Sequence, residues 1–230
     1  DYNSAFEGFK SGSYTFRNEA SSKIWATAYD FPSVEKGWVK KDMPPDGTLA
    51  SGQSFIFNLR KEQFSDIRVR EAIGLMFNFE WSNKTLFYGI YERIHSFWEN
   101  SYLKAAGLPS DGELVFLNPK KENLPEAVFS QEAKLAPQSS ERQLDRKNLR
   151  LASKLLDEAG WKVGDDGIRR NDLGQKLKLE ILNDSQAFDR VINPFIENLQ
   201  QLGIDAIHTR VDNAQMTERE RNFDFDTVSY

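Results

Sequence analysis

Leu177-Lys-Leu-Glu-Ile-Leu182, a helical stretch from Ser185 to Leu202, and Ile204-Asp-Ala-Ile-His-Thr-Arg-Val211 follow one another in the chain, and their order decides the fold. The middle piece puts Val191, Phe195, Ile196 and Leu199 on one stripe, with Pro194 set to kink or restart it and Gly203 to close it. Strand, helix and strand in that order imply a right-handed crossover that lays the two strands parallel. Turn residues at Asp165-Asp-Gly167 and Asn171-Asp-Leu-Gly174 bracket Ile168 to Arg170, so this short strand is predicted to pair with 177–182 as a hairpin. Just upstream, Leu149, Ala152, Leu155, Leu156 and Ala159 form an amphipathic helix ended by Gly160.

Nearer the start, Ser54-Phe-Ile-Phe-Asn-Leu59 carries apolar residues on both faces, as expected of a central strand. Asp66 caps a helix with Val69, Ala72, Ile73, Met76 and Phe77 on its stripe, and a short helix from Ser82 to Tyr88 ends at Gly89. Asn3 to Lys10 reads as a helix, Tyr14 to Arg17 as a strand, and Ser21 or Ser22 as the cap of a short helix broken at Phe31-Pro32. Ile90 to Leu144 holds four prolines and little periodicity, which predicts long irregular structure of the kind that often carries function. Phe223 and Phe225 alternating with Asp224 and Asp226 read as a last strand, its carboxylates facing solvent. The fold class is α/β: one mixed β-sheet with helices packed on it.

Composition excludes several functions. The 230 residues contain no Cys, which removes disulfides, thiolate metal sites and a thiol nucleophile. His95 and His208 lie far apart without metal-ligand spacing, so no metal or cofactor is expected. Net charge is -5 with no basic arm, which argues against nucleic-acid binding. No apolar run is long enough for a membrane span, and no signal-peptide pattern opens the chain. With 17 Phe and 5 Trp there is enough apolar area for a folded core. Neither end reads as a natural boundary, which suggests an excised piece.

Three blocks resemble the bacterial family 5 extracellular solute-binding proteins, the dipeptide- and oligopeptide-binding components of ABC importers. They are Ser54-Phe-Ile-Phe-Asn-Leu-Arg60 followed by Phe64-Ser-Asp-Ile-Arg-Val-Arg-Glu-Ala-Ile73; Ala152-Ser-Lys-Leu-Leu-Asp-Glu-Ala-Gly-Trp161 with Asp166-Gly167 after it; and Leu199-Gln-Gln-Leu-Gly-Ile-Asp205. Asn78-Phe-Glu-Trp-Ser-Asn-Lys-Thr-Leu-Phe-Tyr-Gly89, then Arg93, Ser96 and Phe97, is similar to the oligopeptide and microcin C-type branch. Two positions depart from the family pattern: Gln63, where many members have Pro, and Asn78, where many have Asp. The resemblance implies one lobe of a two-lobed, type II-like periplasmic binding protein. Residues 1–230 would form most of its C-terminal lobe, truncated at both ends, with the N-terminal lobe absent. It further implies no catalysis, a periplasmic location, a peptide or peptide-like ligand, and permease subunits as partners. A carboxylate-based hydrolase and a pure protein-interaction domain are the competing readings.

Peptide recognition needs charges for the termini, hydrogen-bonding groups and aromatic surface. Residues 88–100 supply all three in Tyr91, Arg93, Ser96, Phe97, Trp98 and Asn100, unless Phe97 and Trp98 merely pin the loop. Arg17 and Glu19 form a second candidate, as partners for a carboxylate and an ammonium group; their alternative is an ordinary ion pair. Arg68, Arg70, Glu80 and Trp81 read as structural, and His208 as a satisfied imidazole.

Overall fold

The computed structural model describes residues 2–50 and 52–229. In chain order the elements are α1 (Tyr2–Lys10), α2 (Ser22–Thr27), α3 (Pro32–Glu35), β1 (Phe55–Phe57), α4 (Ile67–Met76), α5 (Phe79–Thr85), α6 (Asp111–Leu117) and α7 (Ala127–Ser130). Then come α8 (Arg146–Glu158), β2 (Lys162–Val163), β3 (Arg169–Arg170), β4 (Lys178–Asn183), α9 (Asp189–Gln201), β5 (Asp205–Arg210), α10 (Asn213–Arg221) and β6 (Thr227–Ser229). The parallel crossover is present: β4 and β5 pair from Lys178 with Asp205 to Asn183 with Arg210. The sheet order is β1-β6-β4-β5, with β6 parallel to β4 and antiparallel to β1, so the sheet is mixed.

Alternation along β4 sorts the two faces. Leu177, Leu179 and Ile181 point into the main core with Phe64, Val69, Ile73, Ala152, Leu156, Ile192 and Leu199, drawn from α4, α8, α9 and the turn before α4. Each fully buried Leu or Ile there contributes about 1.5–3 kcal/mol. Phe55, Phe77 and Phe195 close this core as a ring cluster with centroids 5.1–5.6 Å apart. On the opposite face Leu182 packs with Met216 of α10 and Val228. Beside them Arg219 grips both oxygens of Glu180, at 3.1 and 2.6 Å.

The caps at Asp66 and Asp145 form as hydrogen bonds to the first turns of α4 and α8. Arg68 and Arg70 are structural: Arg68 holds Asp66 and reaches the Glu158 carbonyl on α8, while Arg70 donates to the carbonyls of Phe64 and Ser65.

Several expectations change. Residues 223–226 form no strand: Phe223 takes φ 53° in the turn after α10, and the last strand, β6, begins at Thr227. The 54–59 strand lies at an edge: β1 pairs only with β6, and Ile56 on its second face is 47% exposed. Residues 14–17 form no strand, because Tyr14 Oη donates to the Ala5 carbonyl and the Arg17 guanidinium sits 4.6 Å over the Tyr2 ring, folding the segment back on α1. The 168–170 piece pairs with β2; the Asn171–Gly174 turn exists, but beyond the Arg170–Lys176 bridge the chain turns into the main sheet. Helix α9 does not restart at Pro194 but is continuous through it, and it begins at Asp189 after a 3₁₀ turn at Gln186–Phe188. Asp226 is not solvated, since its Oδ2 accepts the Glu180 amide at 3.0 Å and Lys61 lies 3.9 Å away. Burial, with the Glu180 charge beside it, pushes its carboxyl above the usual range despite the Glu180 amide, Lys61 and Arg219.

Candidate functional site

Helix α5 starts at Asn78, whose Oδ1 accepts the Trp81 amide while its Nδ2 donates to the carbonyls of Ser140 (2.8 Å) and Arg142 (2.5 Å). One buried amide therefore fixes both the helix and the strap 137–142 that runs beside it. Asn148 holds that strap from behind through the Gln138 carbonyl and Ser139 Oγ, and Asp145 accepts the Ser140 amide. Between helix and strap lies an open cleft of about 610 Å³ lined by Phe79, Glu80, Asn83, Lys84, Tyr88 and Gly89, by Arg93 and His95, and by residues 137–141. That volume falls within the usual range for small-molecule sites, roughly 300–1,000 Å³.

The predicted loop supplies Tyr88, Gly89, Arg93 and His95 to a third wall; of the contact residues singled out in it, Arg93 lines the cleft, while Tyr91, Ser96, Phe97, Trp98 and Asn100 do not. Two non-glycine residues in the left-handed region bracket it, Tyr88 at φ 59° and Asn100 at φ 62°. Asn tolerates this conformation; for Tyr it costs on the order of 1–2 kcal/mol, strain of the kind that clusters at functional sites. Asn83 clamps the Tyr91 backbone in both directions, and Asn100 donates to the carbonyls of Asp46 and Thr48. Within the loop Ser96 Oγ accepts the Trp98 amide, Glu99 accepts the His95 amide, and His95 Nδ1 accepts the Ala136 amide at 3.1 Å. The loop is thus held by polar side chains while its aromatics stay available: Tyr91 stacks on Phe87 at 5.0 Å, Trp98 is half exposed, and Phe97 is 97% exposed.

Arg93 sits between rings, 5.5 Å from Phe77 and 5.4 Å from Phe79. Burial lowers its pKa, against the pull of the Glu80 carboxylate, and the group remains cationic. Glu80 spends one oxygen on the Ser139 amide at 3.0 Å. Sequence reasoning singled out the loop but left Glu80 as structural and the 137–141 strap as irregular chain. One signal was available: Glu80, Asn83 and Lys84 stand at i, i+3 and i+4 on one face of α5.

Arg17 and Glu19 lie elsewhere, in the N-terminal cluster of Phe6, Phe9 and Phe31 with Tyr14 and Tyr29 packed on it. They bond each other at 3.0 Å with side chains 7% and 2% exposed. Glu19 also accepts from Tyr2, Tyr29 and the Ser21 amide, so its oxygens are fully engaged. Burial works against ionisation there, but these donors and Arg17 hold the Glu19 carboxyl below its usual range. His208 is not the fully satisfied imidazole expected: its Nδ1 meets Asn193 Oδ1 at 3.0 Å, but its Nε2 is buried without a hydrogen-bond partner. Among the described residues no cluster of His, Asp and Glu could hold a metal ion, and no helix is long and apolar enough to cross a membrane.

Comparison with known proteins adds relatives that share this arrangement of elements. The chain is 41% identical over 230 residues to the probable peptide-binding protein YejA of Agrobacterium fabrum, covering 99% of this chain and 37% of that protein. It is 40% identical over 228 residues to the uncharacterized YejA of Escherichia coli, covering 99% and 38%. Among solved structures, the oligopeptide-binding protein AppA of Bacillus subtilis, in complex with a nonapeptide, superposes with a TM-score of 0.63 at 18% identity, covering 100% of this chain and 38% of that one. The likeness to AppA is one of fold, and the chain spans well under half the length of these relatives. The profile of the bacterial extracellular solute-binding proteins, family 5 Middle, matches residues 1–230, and the chain belongs to that family.

Proposed function

We propose that this chain is part of the solute receptor of an ABC importer, which takes peptides or peptide-like solutes in the periplasm and delivers them to the membrane permease. The observation that carries this reading is the cleft beside α5, in which Phe79, Tyr88 and the Arg93 cation meet the polar residues of α5 and the strap. The probable peptide-binding relative supports the same solute class. The chain supplies most of one lobe, the C-terminal one, and the wall facing Phe97 and Trp98 comes from the rest of a longer protein. Closure of the two walls around solute follows from tighter binding to the closed form, with no bond made or broken. The proposed contacts are Tyr91, Arg93, Ser96, Phe97, Trp98 and Asn100, the last and Ser96 mainly by holding the loop in place. Arg17 and Glu19 are left out because they pair with each other inside the N-terminal cluster and do not line the cleft.

The hydrolase alternative finds little support in the carboxylates it would use. Asp226 faces the Glu180 amide and Lys61, outside the cleft, and Asp224 is bound to Arg219 at 3.1 Å. The test is a peptide and muropeptide panel added to the complete protein, read by thermal shift and tryptophan fluorescence. Saturable stabilisation by members of the panel is expected; no response across it would overturn the receptor reading.

A further inference from the structure

Arginines that are half-buried or buried in this protein have acceptors. Arg68 holds Asp66, Arg70 two carbonyls, Arg169 the Asp157 carboxylate and two carbonyls, and Arg219 the Glu180 carboxylate. Arg93 is the exception. Its guanidinium donates no hydrogen bond to any described residue, and its Nε is buried without a partner. Other buried polar atoms without a partner, in Arg17, Asp189, His208 and Thr227, lie outside the cleft, whereas Arg93 lines it. A guanidinium stacked on rings keeps its planar fork fixed and loses little further freedom on pairing, so a missing acceptor there is a missing bidentate partner.

We infer that the Arg93 side of the cleft is a carboxylate subsite, in which the guanidinium takes the two oxygens of a solute carboxylate and Phe79, Tyr88 and Pro137 cover the carbon skeleton behind it. This rests on the reading of the cleft as a peptide-type solute site and deepens it by assigning the charge of the bound group. The walls choose among oxyanions. Glu80 and Glu141 also line the cleft, and Lys84 already pairs with Glu141 at 2.5 Å. Glu80, Glu141, Lys84 and Arg93 sum to zero charge, so a flat monoanion leaves one uncompensated charge in the cleft and a dianionic phosphate leaves two. The walls are in place before ligand arrives, since Asn78, Asn83, Asp145 and Asn148 hold them from outside the cavity or across its floor. The carboxylate has two sources in a peptide, the C-terminus and an acidic side chain, and both present the same two oxygens.

The experiment uses the complete protein labelled with ¹⁵N-arginine, the Arg93 Nε–Hε signal being identified by its loss in Arg93→Lys. Sodium acetate is titrated against the neutral isostere acetamide, against sodium chloride at matched ionic strength, and against inorganic phosphate. A saturable shift of the Arg93 signal with acetate alone is expected. No difference between acetate and chloride, or an equal shift with acetamide, overturns the subsite, and an equal or larger shift with phosphate overturns its carboxylate selectivity. A second arm takes peptides from the panel that bind and compares the free acid with the C-terminal amide and with side-chain amides. Loss of one carboxylate is expected to weaken binding roughly tenfold to a hundredfold in the wild type and by much less in Arg93→Gln; equal losses in both proteins overturn the assignment. If no peptide binds, the receptor reading fails while the acetate titration of the wild type still decides the subsite. If Arg93→Gln does not fold, that titration stands without it.

Discussion

Replacing Asn78 tests whether one side chain holds the cleft together. Three of its hydrogen bonds are structural: the α5 cap through Oδ1 and the two donations through Nδ2 to the strap. Losing an N-cap costs about 1 kcal/mol. Each donation to a part-buried carbonyl is worth about 1 kcal/mol net. Asn78→Ala therefore loses about 3 kcal/mol. Asn78→Asp keeps the cap and gains slightly from the helix dipole, but turns a carboxylate oxygen toward the carbonyls of Ser140 and Arg142, so it still loses about 2 kcal/mol. With a slope of about 2–3 kcal/mol per M, urea midpoints should fall by about 1–1.5 M for Ala and somewhat less for Asp, at unchanged slope. The Asp variant is the sharper one, because it keeps the helix cap and removes only the two donations to the strap. An Asn78→Asp protein as stable as the wild type would show that the strap is held by something else.

Three further outcomes follow from the same structure. Gly203 has φ 90°, and a Cβ there would lie 2.8 Å from the Gly167 carbonyl oxygen and 3.1 Å from Arg169 Cγ; Gly203→Ala should lower the melting temperature by about 5–15 °C, and a change under about 2 °C would mean the backbone yields more easily than argued. Phe97→Ser should leave stability within about 0.5 kcal/mol while weakening solute binding by the complete protein, and a matching loss of stability would make Phe97 a packing residue. Asp226 has a folded-state pKa raised by burial, so its stabilising contribution is complete below the unfolded value near 3.9 and is lost as pH rises through the folded one. The stability of the wild type relative to Asp226→Asn should accordingly decline as pH rises from the unfolded value through the raised folded one; chemical denaturation across that rise giving a flat or increasing difference would contradict the burial argument.

What the sequence could reveal depended on how local the deciding interaction was. The β4-α9-β5 crossover, the Asp66 cap and the α8 stripe rest on residues a few positions apart, and all of them formed. The misreadings involve distant partners. Whether 54–59 is central or an edge depends on which strand reaches it, and β6 lies far along the chain. Tyr14 to Arg17 alternates like a strand, but a cation over the Tyr2 ring outweighs period 2. Pro194 gives up one amide bond to the Arg190 carbonyl and is retained because Phe195, Ile196 and Leu199 are buried around it. Of the cleft, composition announced Arg93 but not the acidic and amide residues of α5 that face it. Nor did it announce the strap, because Ser139 and Ser140 become a wall only through Asn78, Asp145 and Asn148.

The position of β6 also sets an order of assembly. Phe55 pairs with Ser229, a separation of 174 positions, whereas β4 and β5 are joined by a crossover that needs only the intervening helix. Loop-closure entropy and vectorial synthesis both delay the long pairing. Until residues 227–229 are made, the strand Phe55–Phe57 has no edge to join and its backbone groups stay unpaired, although Phe55 and Phe57 already have ring partners in Phe77, Phe195 and Phe64. Pulse-labelling hydrogen exchange should find β4, α9 and β5 protected before β1, and early protection of Phe57 would reverse that order.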